Sequence, residues 1–550
     1  MSRPHILIVG GAGVFGSRLA RLLARRKGFR VSLGGRTESR ALALQRELRL
    51  IDEQGEYGFV MIDRDRIGGE RLKEIDCDVV VDCSGPFQLT GTQLIEAAIA
   101  ARCHYVDIAD SRAFVAGVTK FDSAARAVAV AVISGASSTP GLTHAVLDHV
   151  TSAWLAVDSI DVAIVPGNRT PKGRAVVEGI LSWVGQRVRV FREAGWEQGR
   201  GWSDGRWVTI EGLPRRRAML AEVPDLDLLP ARYAPRVRAG FDAGMELPVL
   251  NWLIGVAAVP VRWGLVKSAR VFAGLGTQIA LWLDRFGTAD GGMQIEAAGQ
   301  DARGDARVVR WWLRAANGDG PYVPVAPAAA VIEMLTLGGR LRGGARSAAG
   351  VISLEQIRPW FSGLAIETKQ MAFRGEKPLY RRVMGEGFDR LPEVTRRLHR
   401  GRPAVIAEGE AVVAPAENPI ARFIAKRFGL PRDEGRVPVR VVIESRDGRE
   451  HWTRFFADRP MRSVMSAVPD GLIEERFGPV AIRMRLVPRG DGLDMQRVSG
   501  RLWGVPLPGF LLPRITAEER VDEGGRHRFE VEIRLPLLGR LIAYRGYLVL

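Results

Sequence analysis

Between residues 5 and 145, short continuous apolar runs alternate with stretches of helical periodicity, and this alternation constrains the fold more than any other feature of the chain. Strands that are apolar along their whole length need cover on both faces, which a parallel sheet between two helical layers provides. Right-handed crossovers between such strands predict a doubly wound α/β domain, a Rossmann domain. The predicted strands lie near residues 5–10, 31–35, 59–63, 78–85, 105–110 and 129–136.

The first run ends in a glycine loop at residues 11–16 (GAGVFG), and a predicted helix follows it directly. In this context Gly11 permits a tight turn, Gly13 lets the backbone approach a pyrophosphate, and Gly16 lets the helix pack against the strand. Val14 and Phe15 open the helix, whose N-terminus adds N–H donors and the positive end of a dipole. The loop predicts a dinucleotide site, and the alternative is a glycine-rich turn without a ligand.

Two residues after the second strand bear on the choice of dinucleotide. NAD-specific domains place an Asp or Glu there, about 20 residues past the loop, to accept from the ribose 2′-hydroxyl. Here Arg36 and Thr37 occupy the place. A guanidinium can pair with a 2′-phosphate and stack on adenine, and a hydroxyl adds a hydrogen bond. These residues predict NADP(H), and the alternative is a solvated arginine at a helix start.

The pattern changes after about residue 150 and again after about residue 370. Residues 151–326 mix strands and helices, which predicts an inserted α+β domain for substrate binding or oligomerisation. Helices within residues 327–370 are expected to complete the first domain, residues 1–150. Residues 371–550 contain many short strands separated by turn dipeptides, which predicts a mostly antiparallel, β-rich C-terminal domain, either a barrel or a strongly curved sheet.

The net charge of the chain is +17, which raises the question of a nucleic-acid partner. The arginines that supply this charge are scattered over all the domains, without a basic block or an aromatic stacking platform, so we predict no nucleic-acid binding. The three cysteines lack CxxC spacing and the histidines lack ligand spacing, which predicts neither a disulfide framework nor a metal site. No signal-peptide pattern precedes the first strand, so a cytoplasmic location is expected.

The most apolar stretch of the chain, residues 247–266, has about the length of a membrane-spanning helix. Two prolines and an arginine interrupt it, and its flanks belong to a globular domain. Two interpretations remain. The stretch forms buried core helices, or it forms an interfacial patch supported by Lys267 and Arg270. The second interpretation gives a peripheral membrane contact and suits a lipid-like or isoprenoid substrate.

Three further stretches follow the glycine loop: CSGPF at residues 83–87, YVD at 105–107 and STPGLTH at 138–144. With the loop, they resemble the saccharopine dehydrogenase (saccharopine reductase-like) superfamily, well over residues 1–150 and loosely over 151–370. The resemblance implies a nicotinamide-dependent oxidoreductase. Residues 371–550 resemble a bacterial domain of unknown function that is fused behind such reductases.

The same resemblance implies roles for several residues. The turn that contains Cys83, Ser84, Gly85 and Pro86 lines the nicotinamide side of the cofactor, the YVD strand floors the site, and the third stretch faces the substrate. Thr139 stands where the amino-acid-processing relatives carry an acid. The resemblance therefore does not extend to saccharopine as the substrate.

Proton transfer near the nicotinamide has three candidate residues, His144, Asp107 and Asp110. An imidazole titrates near neutral pH and suits general acid–base catalysis, but His144 could equally cap the following helix. Asp107 ends a strand at the edge where open α/β sheets bind ligands, although an Asp there also serves as a turn or helix cap. Arg169 and Lys172 either hold an acidic substrate group or belong to a solvated loop.

The sequence as a whole predicts an NADP-dependent oxidoreductase that acts on a small or lipophilic substrate. The C-terminal domain would add substrate capture, a lid or an oligomer contact. The last of these roles is compatible with a homodimer. The main alternative is a non-enzymatic NADP(H)-binding protein, either free or associated with a membrane, whose redox state controls the C-terminal domain.

Overall fold

Three sheets organise the molecule, whose structure is a computed structural model. It describes residues 3–171, 174–338, 341–374, 377–400, 403–432, 434–446 and 448–550.

The helices and strands follow one another along the chain in four groups. The first group is β1 (His5–Val9), α1 (Val14–Arg26), β2 (Arg30–Gly35), α2 (Glu38–Ile51), β3 (Glu56–Met61), α3 (Gly69–Ile75), β4 (Val79–Asp82), α4 (Gln93–Ala101), β5 (His104–Asp107), α5 (Arg112–Gly117), α6 (Asp122–Ala127), β6 (Ala131–Ser134) and α7 (Thr143–Thr151). The second group is β7 (Ala156–Val165), α8 (Arg174–Trp183), β8 (Arg187–Arg192), β9 (Gly195–Arg200), β10 (Arg206–Val208), β11 (Arg216–Leu220), α9 (Asp225–Tyr233), β12 (Arg238–Ala243), α10 (Pro248–Arg262), α11 (Ala273–Leu283), β13 (Gly291–Gln300) and β14 (Ala306–Ala315). The third group is α12 (Ala326–Thr336), β15 (Gly344–Ser347), α13 (Leu354–Ile357) and β16 (Ile366–Arg374). The fourth group is α14 (Leu379–Met384), α15 (Glu393–Leu398), β17 (Ala404–Ala414), α16 (Pro419–Arg427), β18 (Gly435–Arg446), β19 (Arg449–Phe456), β20 (Arg459–Val468), β21 (Leu472–Phe477), β22 (Val480–Arg489), β23 (Gly492–Leu502), β24 (Val505–Pro506), β25 (Arg514–Val521), β26 (His527–Leu535) and β27 (Gly539–Val549).

The first sheet is parallel and doubly wound, as the sequence predicts, with the strand order β3-β2-β1-β4-β5-β6-β15. Its central strands are apolar because helices cover both faces, and every residue of β1 is buried. The seventh strand, β15, pairs with β6 after the chain has returned from the second sheet. Only helices were predicted in this returning segment, because the four residues of β15 (GARS) are too few and too polar to give a strand pattern.

The second sheet has nine strands and is mixed. β7 and β12 run parallel to each other, whereas β13, β14 and β16 continue the sheet in antiparallel fashion. Strand β16 crosses residue 371, so the predicted domain boundary falls inside a strand of this sheet. Residues 214–235, which four prolines interrupt, contain β11 and α9, and the sequence pattern predicts neither element.

The third sheet is antiparallel and closes on itself. Strands β17 to β22 follow one another as neighbours, β17 also pairs with β27, and the pairing of β22 with β23 completes the ring through β25 and β26. β24 forms a hairpin on β23. Of the two predicted forms of this domain, the chain therefore adopts the closed barrel. It contacts the second sheet through ion pairs such as Arg238–Glu444, at 2.7 Å.

Candidate cofactor and substrate site

The glycine loop lies at the carboxyl end of β1, in the crevice between β1 and β4. The Gly10 and Gly11 N–H groups donate to the Gly34 carbonyl, at 2.9 and 3.1 Å, which ties the loop to β2. A Cβ atom at Gly16 would collide with the Gly10 carbonyl, so only glycine lets α1 start this close to the loop. Gly13 is the N-cap of α1, and no described side chain accepts a hydrogen bond from the N–H groups of the first turn of that helix. Its N–H groups are therefore left for an anionic ligand.

Arg36 and Thr37 follow β2 on the same edge of the sheet, and both are exposed. Within the described chain, Arg36 forms no ion pair or hydrogen bond, and no acidic side chain takes the place of the ribose-binding carboxylate. Its guanidinium is thus available to a ligand that reaches from the glycine loop across β2. The open helix start, the glycine cradle and this arginine together fit a dinucleotide diphosphate with a cationic partner at its adenosine end.

A buried ion pair lies at the end of β4, where sequence reasoning found no functional residue. Asp82 Oδ2 lies 2.8 Å from Arg64 Nη2, and both side chains are almost wholly inaccessible to solvent. Burial raises the pKa of Asp82, although the Arg64 charge and the hydrogen bonds from Ser84 oppose the shift. The Ser84 N–H and hydroxyl both donate to Asp82 Oδ1, at 2.9 and 2.6 Å. The pair therefore fixes the turn that begins at Cys83.

That turn also touches the glycine loop. A Cβ atom at Gly10, where φ is +75°, would lie 3.1 Å from the Cys83 carbonyl carbon and the Ser84 Cα. The backbones of the two predicted cofactor-binding segments are thus in contact. Burial strongly raises the pKa of the Cys83 thiol, which keeps it protonated and makes a packing role the natural one. Gly85 and Pro86, next along the turn, are half-buried.

Asp107 ends β5 and is fully buried. Its Oδ1 accepts from the Ala109 N–H at 2.9 Å, the Gly135 N–H at 2.7 Å and the Ser134 hydroxyl at 3.0 Å. Burial raises the pKa of Asp107 to about 6 against the opposing effect of these hydrogen bonds. The carboxylate thus anchors the turn after β6, the third stretch of the predicted site.

Asp110, three residues further on, is exposed. Its Oδ1 accepts a hydrogen bond of 3.1 Å from Gln88 Nε2 at the end of the β4 turn. The Gln88 amide also faces α8, because a Cβ atom at Gly179 would lie 3.4 Å from its oxygen. Asp110 therefore stands where the turns after β4 and β5 meet the helix that covers the second sheet.

His144 lies in the first turn of α7 and is fully buried. Its Nε2 is 3.5 Å from Asp225 Oδ1 of α9, and its ring stacks on Tyr233 with 5.3 Å between the centroids. The Tyr233 hydroxyl donates to the His144 carbonyl at 3.1 Å. His144 thus joins α7 to α9. Asp225 and Tyr233 escaped sequence reasoning because both lie in the stretch whose helix was not predicted.

A chamber of about 570 Å³ extends from the glycine loop between the second sheet and the helices α8, α10 and α11. Phe15 of α1 and Ser138 of the turn after β6 line its cofactor end. Among the described residues, Ser138 and Thr170 are the only lining residues with a polar side-chain atom, and the others are glycines, prolines and apolar side chains. Such walls favour an apolar ligand with few polar groups. The three predicted proton-transfer residues are not among them.

Of the two predicted substrate-clamping residues, Arg169 is not among the lining residues of the chamber. Arg169 Nη2 donates to the Arg285 carbonyl at 3.0 Å, which ties its loop to the end of α11. Lys172 lies outside the described residues.

Comparisons with known proteins give matches to two family models, in separate parts of the chain. Residues 6–134 match the family model described as the saccharopine dehydrogenase NADP binding domain, which confirms the predicted resemblance there. Residues 391–548 match a domain of unknown function, DUF4166. The match of residues 6–134 supports nicotinamide-dinucleotide binding by the N-terminal domain and its similarity to an oxidoreductase family. A search of curated proteins finds no match.

Similar solved structures include apo saccharopine dehydrogenase (L-Glu forming) from Saccharomyces cerevisiae. It is 14% identical, and the match covers 67% of this chain and 100% of that one with a TM-score of 0.49. A second is GenD2 from gentamicin A biosynthesis in complex with NAD, at 13% identity, covering 68% of this chain and 97% of that one with a TM-score of 0.32.

Proposed function

We propose that this protein is an NADP-dependent oxidoreductase whose substrate is lipophilic. The chamber carries the proposal, because it is almost wholly apolar and its lining includes Phe15 of the glycine loop. A substrate with a hydrocarbon body would bury that body in the chamber and present its reacting group at the cofactor end.

The preference for NADP(H) rests on charge at the end of β2. Arg36 is exposed and unpaired among the described residues, and Thr37 adds a hydroxyl beside it. A ribose 2′-phosphate gives this guanidinium a charge-assisted partner that NAD lacks.

The residues of this chain have separable roles. The N–H groups at the start of α1 bind the diphosphate, and the Arg64–Asp82 pair orients the turn at Cys83. When bound, NADPH supplies a hydride. The chamber walls exclude water from the reacting end.

Proton transfer falls to Asp110 in this proposal. Among the three predicted candidates it alone is exposed, whereas Asp107 and His144 have no accessible surface. We assign Asp107 and His144 positioning roles, because the first holds the turn after β6 and the second joins α7 to α9. The burial of Asp107 and His144 argues against the proton-transfer role that the sequence offers as one possibility for each.

The decisive experiment follows NADPH oxidation by the full-length protein with ketones, imines and enoyl thioesters of increasing chain length. Turnover should rise with chain length, because each added methylene buries more apolar surface in the chamber. Gly276→Leu should weaken long-chain substrates selectively, since a Cβ atom at Gly276 points at Val177 and Leu181 of the chamber wall, each 3.8 Å away.

Gly274→Leu is the matched control, because it lies on the same helix and a Cβ atom there meets no atom within 4 Å. NADPH binding should survive both substitutions. Tight NADPH binding without turnover of any substrate would overturn the enzymatic proposal and favour the NADP(H)-sensing alternative.

A further inference from the structure

The helices α10 and α11 expose large apolar side chains on the outside of the molecule. Trp252 of α10 is 65% exposed and Trp282 of α11 is 60% exposed. Between the helices, Trp263 and Leu265 are 75% and 71% exposed. These residues, with Val249, Val256, Val271, Leu275 and Leu281, form what we call the α10–α11 surface. Monomeric soluble proteins rarely leave so many large apolar side chains together in water.

The same two helices form walls of the chamber. Val256 and Leu275 are 47% and 61% exposed, and both also line the chamber. Side chains that face both solvent and a cavity stand at its opening, so the chamber opens within the α10–α11 surface. An apolar ligand that entered here would cross from one apolar environment into another without passing through water.

The charge of this segment is one-sided. Residues 247–283 contain no Asp or Glu, and their three charged residues are Arg262, Lys267 and Arg270. Beyond α11, Asp284 is followed by Arg285, whose guanidinium lies 4.7 Å from the Trp282 ring centroid. Apolar side chains and tryptophans bordered by cations are the composition of a surface that sits in the headgroup region of an anionic bilayer.

No described helix is both long and apolar enough to cross a membrane. We propose that the α10–α11 surface docks on an anionic lipid membrane and that the chamber draws a lipid hydrocarbon chain from that membrane through its opening. Docking does not depend on the proposed redox activity, whereas chain uptake gives that activity its substrate class. Residues 247–266 had two interpretations from the sequence, buried core helices or an interfacial patch, and this proposal adopts the interfacial patch.

A second copy of the chain fits the α10–α11 surface less well than an anionic membrane does. In a twofold interface the same surface meets itself, so the cations that border it would face their own copies without a described acidic residue of that segment between them. Anionic headgroups neutralise those cations instead.

The test is co-sedimentation of the full chain with phosphatidylcholine vesicles, with and without phosphatidylglycerol. Binding should be stronger with phosphatidylglycerol and should weaken as salt rises. The double variant Trp252→Ser/Trp282→Ser should lose roughly tenfold or more of this affinity. Trp207→Ser is the matched control, since Trp207 is 57% exposed on the second sheet and should leave binding unchanged.

Three results would overturn the proposal. The first is no binding to either vesicle, and the second is equal binding by the double variant and the parent. The third is a lipid-independent dimer that the double variant disperses, which would assign the surface to a second copy. NADPH binding, followed by nicotinamide fluorescence without lipid, reports on the cofactor site separately, so failure of the redox proposal and failure of docking can be told apart.

Discussion

The Arg64 guanidinium and the Asp82 carboxylate lie 2.8 Å apart beneath the turn at Cys83, both buried. The same Asp82 holds both donors of Ser84, and the Arg64 guanidinium lies 5.5 Å from the Phe87 ring centroid. One ion pair thus ties the loop after β3 to the segment that contacts the glycine loop.

Arg64→Met should lower the free energy of unfolding by about 3 kcal/mol, because it leaves the Asp82 carboxylate buried without its cation. NADPH binding should weaken as well, since the turn at Cys83 loses its anchor. Arg66→Met is the control, because Arg66 is 87% exposed and should cost little. Denaturant unfolding and NADPH titration of the three proteins measure both effects, and equal stabilities for the two variants would contradict a structural role for the pair.

Arg36→Ala should raise the Kd for NADPH roughly tenfold to a hundredfold, the range expected for loss of a charge-assisted hydrogen bond to a phosphate. The Kd for NADH should hardly change, because NADH has no 2′-phosphate. Arg40→Ala removes another exposed arginine from the start of α2 and should affect neither cofactor. Fluorescence titration of both cofactors decides the matter, and equal losses for NADPH and NADH in Arg36→Ala would exclude 2′-phosphate recognition.

The parallel sheet and the glycine loop were predictable because both follow from local rules. Each apolar strand is continuous, and the requirement for glycine at Gly16 comes from a backbone contact within a few residues. The prediction made from Arg36 also depends on local sequence alone, because an arginine stands where NAD-specific domains carry an acid. The structure leaves the Arg36 side chain exposed.

The features of the fold and the site that the sequence did not predict depend on contacts between residues far apart in sequence. Asp225 meets His144 only after α9 packs on α7, and β15 joins β6 only after the chain has crossed the second sheet. The chamber is built from three helices and a sheet whose apolar residues look, in sequence, like ordinary core. Which apolar face remains open on α10 is a tertiary property, so the sequence could offer only two interpretations of it.

Asp110→Asn should lower kcat by about a hundredfold or more if Asp110 transfers the proton, the usual loss for a general acid or base. The Kd for NADPH should stay the same, because Asp110 lies outside the glycine loop. The limb of the kcat–pH profile that reports the carboxyl group should disappear in Asp110→Asn but persist in Gln88→Ala, which removes only its hydrogen-bond partner. A full carboxyl limb in Asp110→Asn would assign the proton transfer to another group.

The raised pKa of Asp107 makes a prediction about stability. The folded chain holds this proton up to about pH 6, whereas an unfolded aspartate loses it near 3.8. The folded state binds more protons in that interval, so this group makes stability fall as pH rises from about 3.8 to about 6. Asp107→Asn keeps an oxygen acceptor for the three donors and should remove this slope, with a difference of about 3 kcal/mol across the interval. Urea unfolding from pH 4 to 7 tests it, and an unchanged slope would be the contrary result.

The lowered pKa of Glu519 predicts the opposite pH dependence of stability for the C-terminal barrel. Burial alone would raise its pKa, but the charges that His399 and His527 carry when protonated, and a 2.8 Å hydrogen bond from His399 Nε2, bring the pKa to about 2. A depressed pKa contributes stability that is present above the unfolded value of 4.5 and is lost as pH falls through about 2. Glu519→Gln should therefore destabilise the barrel above pH 4.5 and flatten its acid dependence below it.

Glu518→Gln is the control for that variant, because the neighbouring side chain is about one-third exposed and pairs with Arg520 at 2.7 Å. Hydrogen exchange is the readout here, because it reports on the strands of the barrel separately from the rest of the chain. Hydrogen exchange of β25 and β26, followed from pH 3 to 7, should accelerate in Glu519→Gln and not in Glu518→Gln, since only Glu519 compensates the buried histidines. Equal exchange in the two variants would mean that the Glu519–His399 contact adds no stability to the barrel.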